Sequence, residues 1–476
     1  MLASCRSVRI QPATDQEAPP LPQRESLQIE GLSEAEKQFS KLEAWLPLTE
    51  SRNGNIYRTF FHLVNSGIGT QALVLPVALT HLGWAWGIIC FLLAFSWQLY
   101  TIWLLVHLHE SPSGKRYSRY LQLAVASFGP KLGKLLAVFP VMYQSGGTCA
   151  NLIINAGGIL KLLFRVICDE GDRCNPTAVS DVEWYLVFVF IAIVIAQHPN
   201  LNSLALVSLV GTITAAAYCY VIWIVPVSRS RPSGVFYGAN KGIDSETTRA
   251  MGVLSAFGTI AFAFRGHNLV LEIQGTLPTS LSNPCRKTMW RAVTRSYCLI
   301  ASCLIPLAIA GYWAYGNLIP TGGMLTAYPE FHGHGAALAV MYFLVIIACL
   351  CSFQLYAMPV FDNLEIVAIG KRGKACEWWL RAGMRCFFGG LVFFGSVALP
   401  FLPKLAALIG GIGLPLTFVY PCFMWIAIKK PRSLSPMWWL NWVLGCSGVV
   451  VSVLVVISAI WNLAKHGLDA NFFHPR

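Results

Sequence analysis

Five polar side chains stand inside the apolar stretch TIAFAFRGHNLVLEIQ, residues 259–274: Arg265, His267, Asn268, Glu272 and Gln274. Two of these are proton-exchange groups. An unperturbed imidazole titrates near pH ~6.5 and a glutamate near ~4.3. Arg265 brings a permanent cation, and Gly266 beside it invites an irregular backbone. A second stretch, FFHLVNSGIGTQALVLPVAL at 60–79, carries Asn65, Ser66, Gly67, Ile68, Gly69, Thr70 and Gln71 in its middle. Glycine costs about 1 kcal/mol of helix stability relative to alanine, so two of them beside Asn, Ser and Thr mark a place for a helix to break. Broken ends expose N–H groups that suit an anion and carbonyls that suit a cation. Covalent chemistry has no comparable set of groups. There is no GxSxG, P-loop or HExxH, no paired CxxC, and no segment left over for a nucleotide-binding domain. These absences argue against an enzyme and against any bound metal or cofactor.

Both stretches must be held in a lipid bilayer. The chain of 476 residues is 55% hydrophobic and 12% charged, with a mean hydropathy of +0.56. Soluble domains carry about 25% charged residues. Runs of about 20 apolar residues, enough to span a membrane, recur near 56–80, 84–108, 131–165, 182–197, 203–226, 251–275, 292–314, 335–366, 382–400, 405–428 and 437–463. The expected fold is an all-α polytopic membrane protein of eleven spans, the third long enough to tilt or protrude. Residues 1–50 are polar and Pro-rich without a signal-peptide core, and are expected to form a largely disordered tail with a short amphipathic helix near 33–41. Residues 51–476 form the transmembrane domain.

The net charge of +13 is no nucleic-acid signal, because the cations lie in short loops. Lys115, Arg116 and Arg119 follow span two; Arg286, Lys287 and Arg291 span six; Lys371, Arg372 and Lys374 span eight; Lys429, Lys430 and Arg432 span ten. By the positive-inside rule these loops and the N-terminus face the cytosol. Arg229, Arg231, Lys241 and Arg249, on the opposite side, disagree with that orientation. Cys168 and Cys174 flank the acidic outer loop CDEGDRC, where a disulfide persists and is expected.

Spans one and six are five apart. As the first helices of two inverted five-helix repeats, a pair of interrupted spans in these positions points to a transporter binding site. Close helix packing is the other use of such glycines. It suits Gly410, Gly411 and Gly413 of span ten better than span six, which also carries Arg, His and Glu.

The blocks GHNLVLEIQGTLP (266–278), LGWAWGI (82–88), QLYTIWLLVHLHE (98–110), GKRYSRY (114–120), HPNLNSLALVSL (198–209), MWRAV (289–293), YGN (315–317) and FQLYAMPVFD (353–362) resemble the plant lysine/histidine transporter-like proteins of the amino acid/auxin permease family. The resemblance runs from about residue 45 to the C-terminus. It implies a LeuT-type fold with a 5+5 inverted repeat, and uptake of amino acids driven by the proton gradient at the plasma membrane. The same site with little flux, an amino-acid sensor, is the alternative. The chain departs from the family at Gly69–Thr70–Gln71, where a Gly–small–Gly turn is usual, and at Arg265, where a small residue is usual. Substrate is expected at Asn65–Thr70 and Phe264–Asn268, its carboxylate on the N–H groups of Ser66–Gly69 and its ammonium on carbonyls near Phe264–Gly266. Tyr143 and Phe353 are candidate walls. Arg265, central in its span, needs a partner, with Glu272 or the substrate as candidates. Glu272 is the first candidate for the coupling proton and His267 the second, with Asp362 and Glu365 more remote.

Overall fold

The computed structural model describes residues 43, 45–50, 52–111, 115–168, 179–198, 201, 203–238, 245–264, 266–280, 283–332, 335–399, 401 and 406–467. All regular structure among these residues is helical: α1 Ile56–Gly67, a 3₁₀ turn Thr70–Val74, α2 Leu75–Leu108, α3 Tyr120–Phe128, α4 Pro130–Cys168, α5 Asp181–Ile195, α6 Ala205–Ser228, α7 Glu246–Ala263, α8 His267–Gly275, α9 Cys285–Tyr315, α10 Met324–His332, α11 Ala336–Arg372, α12 Trp378–Ala398, α13 Ala406–Phe418, α14 Tyr420–Lys429 and α15 Pro436–His466. Polar caps set several of the starts. Asn55 accepts from the Arg58 N–H, and Ser180 and Glu183 close a capping box on α5.

Each of the eleven expected spans has a helical counterpart. Nine helical stretches among the described residues are long and apolar enough to cross a membrane. The remaining two depart for simple reasons. Span one is interrupted and its far half runs into α2, from which only a kink at Gly83 (φ 69°, ψ −178°) divides it. An L side chain is strained at that φ, so the turn uses glycine. Span four, α5, has 15 residues. Span three, α4, has 39 and is about 58 Å long at 1.5 Å per residue, well over the bilayer's hydrocarbon thickness, as its sequence suggested.

The loops sort onto two faces. Gly54 donates to the Thr276 carbonyl, Leu201 to Pro47, and Arg381 to Trp45. The loops after spans two, four, six and eight therefore gather around the N-terminal segment, whose Leu46 and Leu48 are buried. The discordant basic loop stays on the opposite, far face. There the Arg231 guanidinium lies 3.4 Å over the Trp313 ring, and the Tyr237 hydroxyl donates to the Trp313 carbonyl at 2.6 Å. Stacking on an aromatic at the end of α9 gives Arg231 a local partner.

At the centre α1 packs on α6 and α9, and α11 packs on α4 and α6. The glycines of span ten serve packing. Gly410 faces Phe262, Gly411 the Val455–Val456 pair of α15, and Gly413 the Gln144 side chain.

Candidate functional site

Span one breaks at Ile68 and Gly69, both extended (φ −97°, ψ 111° and φ −123°, ψ 172°). Of the expected donors Ser66, Gly67, Ile68 and Gly69, Gly69 alone keeps a free N–H among the described residues. Ser66 and Gly67 lie within α1, and the Ile68 N–H is spent on the Val64 carbonyl at 3.0 Å. The backbone N–H groups that the break frees are those of Gly69, Thr70 and Gln71; among the described residues none of them finds an acceptor. They open the 3₁₀ turn and form a small nest of donors.

Two of the carbonyls released at the same break have partners. Ser352 of α11 donates to the Asn65 carbonyl and its Oδ1, both at 3.2 Å, and the Tyr356 hydroxyl donates to the Ser66 carbonyl at 2.8 Å. These two residues, one helical turn apart on span eight, clamp the broken segment. On its other side Gly211 of α6 admits the Asn65 amide where a side chain would collide.

Span six breaks between Ala263 and His267. Phe264 (φ −95°, ψ 67°) leaves the helix, and Gly266 (φ 112°, ψ −5°) sits in the left-handed region as N-cap of α8. Span two holds both ends. Gln98 Nε2 donates to the Ala261 carbonyl at 2.7 Å, and His267 Nε2 lies 3.0 Å from Thr101 Oγ1 and 3.2 Å from the Gln98 carbonyl. Thr101 already donates its proton to that carbonyl, so its oxygen accepts and His267 carries hydrogen on Nε2. His267 Nδ1 has no partner among the described residues.

The two breaks meet. A Cβ on Gly266 would stand 3.1 Å from Ser66 Oγ. Asn268 Nδ2 donates to Ser145 Oγ of α4 at 3.4 Å, bringing span three to the same place. Of the candidate walls, Tyr143 is half-buried on α4, whereas Phe353 turns its ring edge-on to Phe188 of α5 at 6.3 Å. Phe264 packs edge-on against Phe91 and Phe95. Arg265 and Cys174 lie outside the described residues, and with them the expected Arg265–Glu272 pair and the disulfide to Cys168, the buried last residue of α4.

Glu272 is buried one turn further along α8. Its Oε1 accepts the Tyr120 N–H at 3.2 Å, and its Oε2 has no partner among the described residues. The residue before Tyr120 is Arg119, whose guanidinium forms a bidentate pair with Asp362 at 2.5 and 3.0 Å. Glu365 of the same helix lies 3.0 Å from Arg381.

Sequence reasoning overlooked the clamps. Ser352 and Tyr356 are spaced i, i+4, and Gln98 and Thr101 i, i+3, within apolar helices. That spacing places each pair on one face and was the available signal. Arg119 was legible as a loop cation, and nothing local to it named Asp362.

A helical bundle whose first and sixth spans break at one another's side is the architecture of the LeuT-type transporters. MhsT in complex with L-phenylalanine shares it, with a TM-score of 0.53 over 84% of this chain and 98% of that one, at 14% identity. Residues 52–465 match the family described as transmembrane amino acid transporter protein, and the chain belongs to that family. It is 50% identical over 436 residues to lysine histidine transporter-like 8 of Arabidopsis thaliana, covering 91% of this chain and 83% of that protein. Against lysine histidine transporter-like 7 of the same plant the identity is 48% over 439 residues, 91% and 90% of the two chains.

Proposed function

We propose that residues 51–476 form a proton-coupled symporter that imports amino acids across the plasma membrane, with the N-terminal face and the tail of residues 1–50 toward the cytosol. The observation that carries this reading is the nest of three N–H groups at Gly69, Thr70 and Gln71, unpaired among the described residues, beside the left-handed turn at Gly266. An α-carboxylate fits the nest. The α-ammonium then meets the carbonyl end of α7 around Phe264. That geometry serves the backbone of any amino acid, and the relatives' names favour basic side chains.

The choice of a proton rests on one further feature. Glu272 is a buried carboxylate with one oxygen lacking any partner among the described residues, and a buried unpaired charge is costly. Neutralisation by a proton relieves that cost. His267 is the weaker candidate because its Nε2 is spent on span two.

The test is uptake of labelled amino acid in a transport-deficient cell, with sodium replaced by choline and with a protonophore added. Uptake should survive the first treatment and collapse with the second. Uptake that needs sodium, or that ignores the protonophore, overturns the reading.

A further inference from the structure

The N-terminal face is shut by a clasp that lies next to Glu272 and whose charges, among the described residues, do not balance. Arg119 Nε and Nη2 hold the two Asp362 oxygens, its Nη1 reaches Glu43 Oε1 at 3.5 Å, and Arg52 holds the other Glu43 oxygen at 2.6 Å. The Arg119 side chain is 6% exposed and that of Asp362 0%. At such burial water screens the pair little, and loss of one partner strands the other's charge. The clasp joins three separate parts: α11, the turn into α3, and the N-terminal segment. That segment is also tied to α12 through Arg381, which donates to the Trp45 carbonyl at 2.8 Å and to Glu50 Oε2 at 3.4 Å.

Tyr120, the residue after Arg119, donates its N–H to Glu272 Oε1. With every group ionised, two guanidinium groups, Arg52 and Arg119, face three carboxylates, Glu43, Asp362 and Glu272. Arg116 and Glu110 add one charge of each sign at the end of α8, where Arg116 donates to the Leu277 carbonyl and Glu110 accepts from Thr279, and the excess of one negative charge remains. Of the three carboxylates that face Arg52 and Arg119, Glu272 is the one without an ion pair among the described residues. The other titratable groups around it are committed elsewhere: the Tyr120 hydroxyl donates to the Leu416 carbonyl, and His109 Nδ1 lies 2.9 Å from the Tyr117 carbonyl. Cys285 of α9 lies beside Gln274 and Glu110.

We propose that Arg119 is a positioning residue that reads the charge on Glu272 and sets the strength of this clasp accordingly. The proposal rests on Glu272 as the proton carrier. While Glu272 is protonated, Arg119 belongs to Asp362 and Glu43, and the N-terminal face is held shut as in this structure. When Glu272 loses its proton, a third carboxylate competes for the guanidinium, the hold on α11 and on the N-terminal segment weakens, and the face opens more readily.

The test is the external-pH profile of uptake by Asp362→Asn, Arg119→Gln and Glu43→Gln, each normalised to surface protein. Asp362→Asn turns the guanidinium toward Glu272 and favours its ionised form, so half-maximal uptake moves to lower pH by about one unit. Arg119→Gln removes the cation and moves it to higher pH. Glu43→Gln gives a smaller shift in the direction of Asp362→Asn. None of these shifts occurs in a Glu272→Gln background. A structural clasp alone makes both ends of the Arg119–Asp362 pair fail alike, so shifts in the same direction, or unmoved profiles, overturn the proposal. Where the two buried variants do not reach the surface, Glu43→Gln decides, because Glu43 lies outside the spans: an unmoved profile overturns it. Glu272→Gln that still concentrates substrate removes the reading beneath. Loss of concentration in Glu272→Gln together with unmoved profiles in the clasp variants removes this inference alone.

Discussion

Replacing Gly266 with alanine strikes the point where the two broken spans touch, and the structure sets the size of the effect. Gly266 holds φ 112° and ψ −5°, a conformation that costs an L residue about 1–3 kcal/mol. The new Cβ would also stand 3.1 Å from Ser66 Oγ and 3.6 Å from Ser66 Cβ. Ser66 has little room to yield, since its hydroxyl donates to the Leu63 carbonyl at 3.1 Å and its carbonyl accepts from Tyr356. Together these give about 2–3 kcal/mol against the native arrangement of the breaks. At about 1.4 kcal/mol per factor of ten, that lowers the competent population roughly 30- to 150-fold. The assay is initial uptake of labelled amino acid divided by surface protein. Gly395→Ala on α12 is the control, because its Cβ meets nothing within 4 Å, and its uptake should stay within about twofold of wild type. Gly266→Ala at normal surface level with uptake within threefold of wild type would refute the reasoning.

Other perturbations separate the parts. Gly69 has an ordinary extended backbone, so Gly69→Trp should fold and reach the surface yet abolish uptake by filling the carboxylate nest; near-normal uptake removes the nest from the account. Tyr356→Phe leaves the buried Ser66 carbonyl without its donor, a loss of about 1–3 kcal/mol, and uptake per surface molecule should fall about tenfold. His267→Gln should slow transport but still concentrate amino acid, because His267 pins span six to span two; loss of concentration with exchange intact would move the proton to the imidazole. Thiol labelling of surface protein should reach Cys168 and Cys174 only after reduction if they are bridged, and labelling of either without reductant excludes the bridge.

The breaks themselves were legible because glycine and small polar residues at mid-depth have few other uses in a lipid-facing helix. Asn65–Gln71 and Phe264–Gly266 therefore mark the irregular backbone in the sequence itself. Of the donors expected at the span-one break only Gly69 keeps a free N–H among the described residues, since composition shows that a helix is interrupted but not which N–H is the last to find an i−4 carbonyl. Long-range pairing was not legible at all. Arg119 and Asp362 are 243 positions apart, and only the packing of α3 against α8, with the Arg119 side chain reaching across to α11, brings them together beside Glu272. Span lengths were read well where hydropathy alone decides them. The boundary between spans one and two depended on a single left-handed glycine, Gly83.

The central claim is that the buried, half-partnered carboxylate of Glu272 carries the proton that drives amino-acid uptake through the site between the two breaks. The most direct measurement compares exchange with accumulation in Glu272→Gln. Cells or vesicles preloaded with unlabelled amino acid are offered labelled substrate with and without an inward proton gradient. The account predicts exchange at a rate close to wild type, no accumulation above equilibrium, and no response to external pH. A Glu272→Gln protein that still concentrates amino acid, with the pH dependence of the wild type, contradicts it.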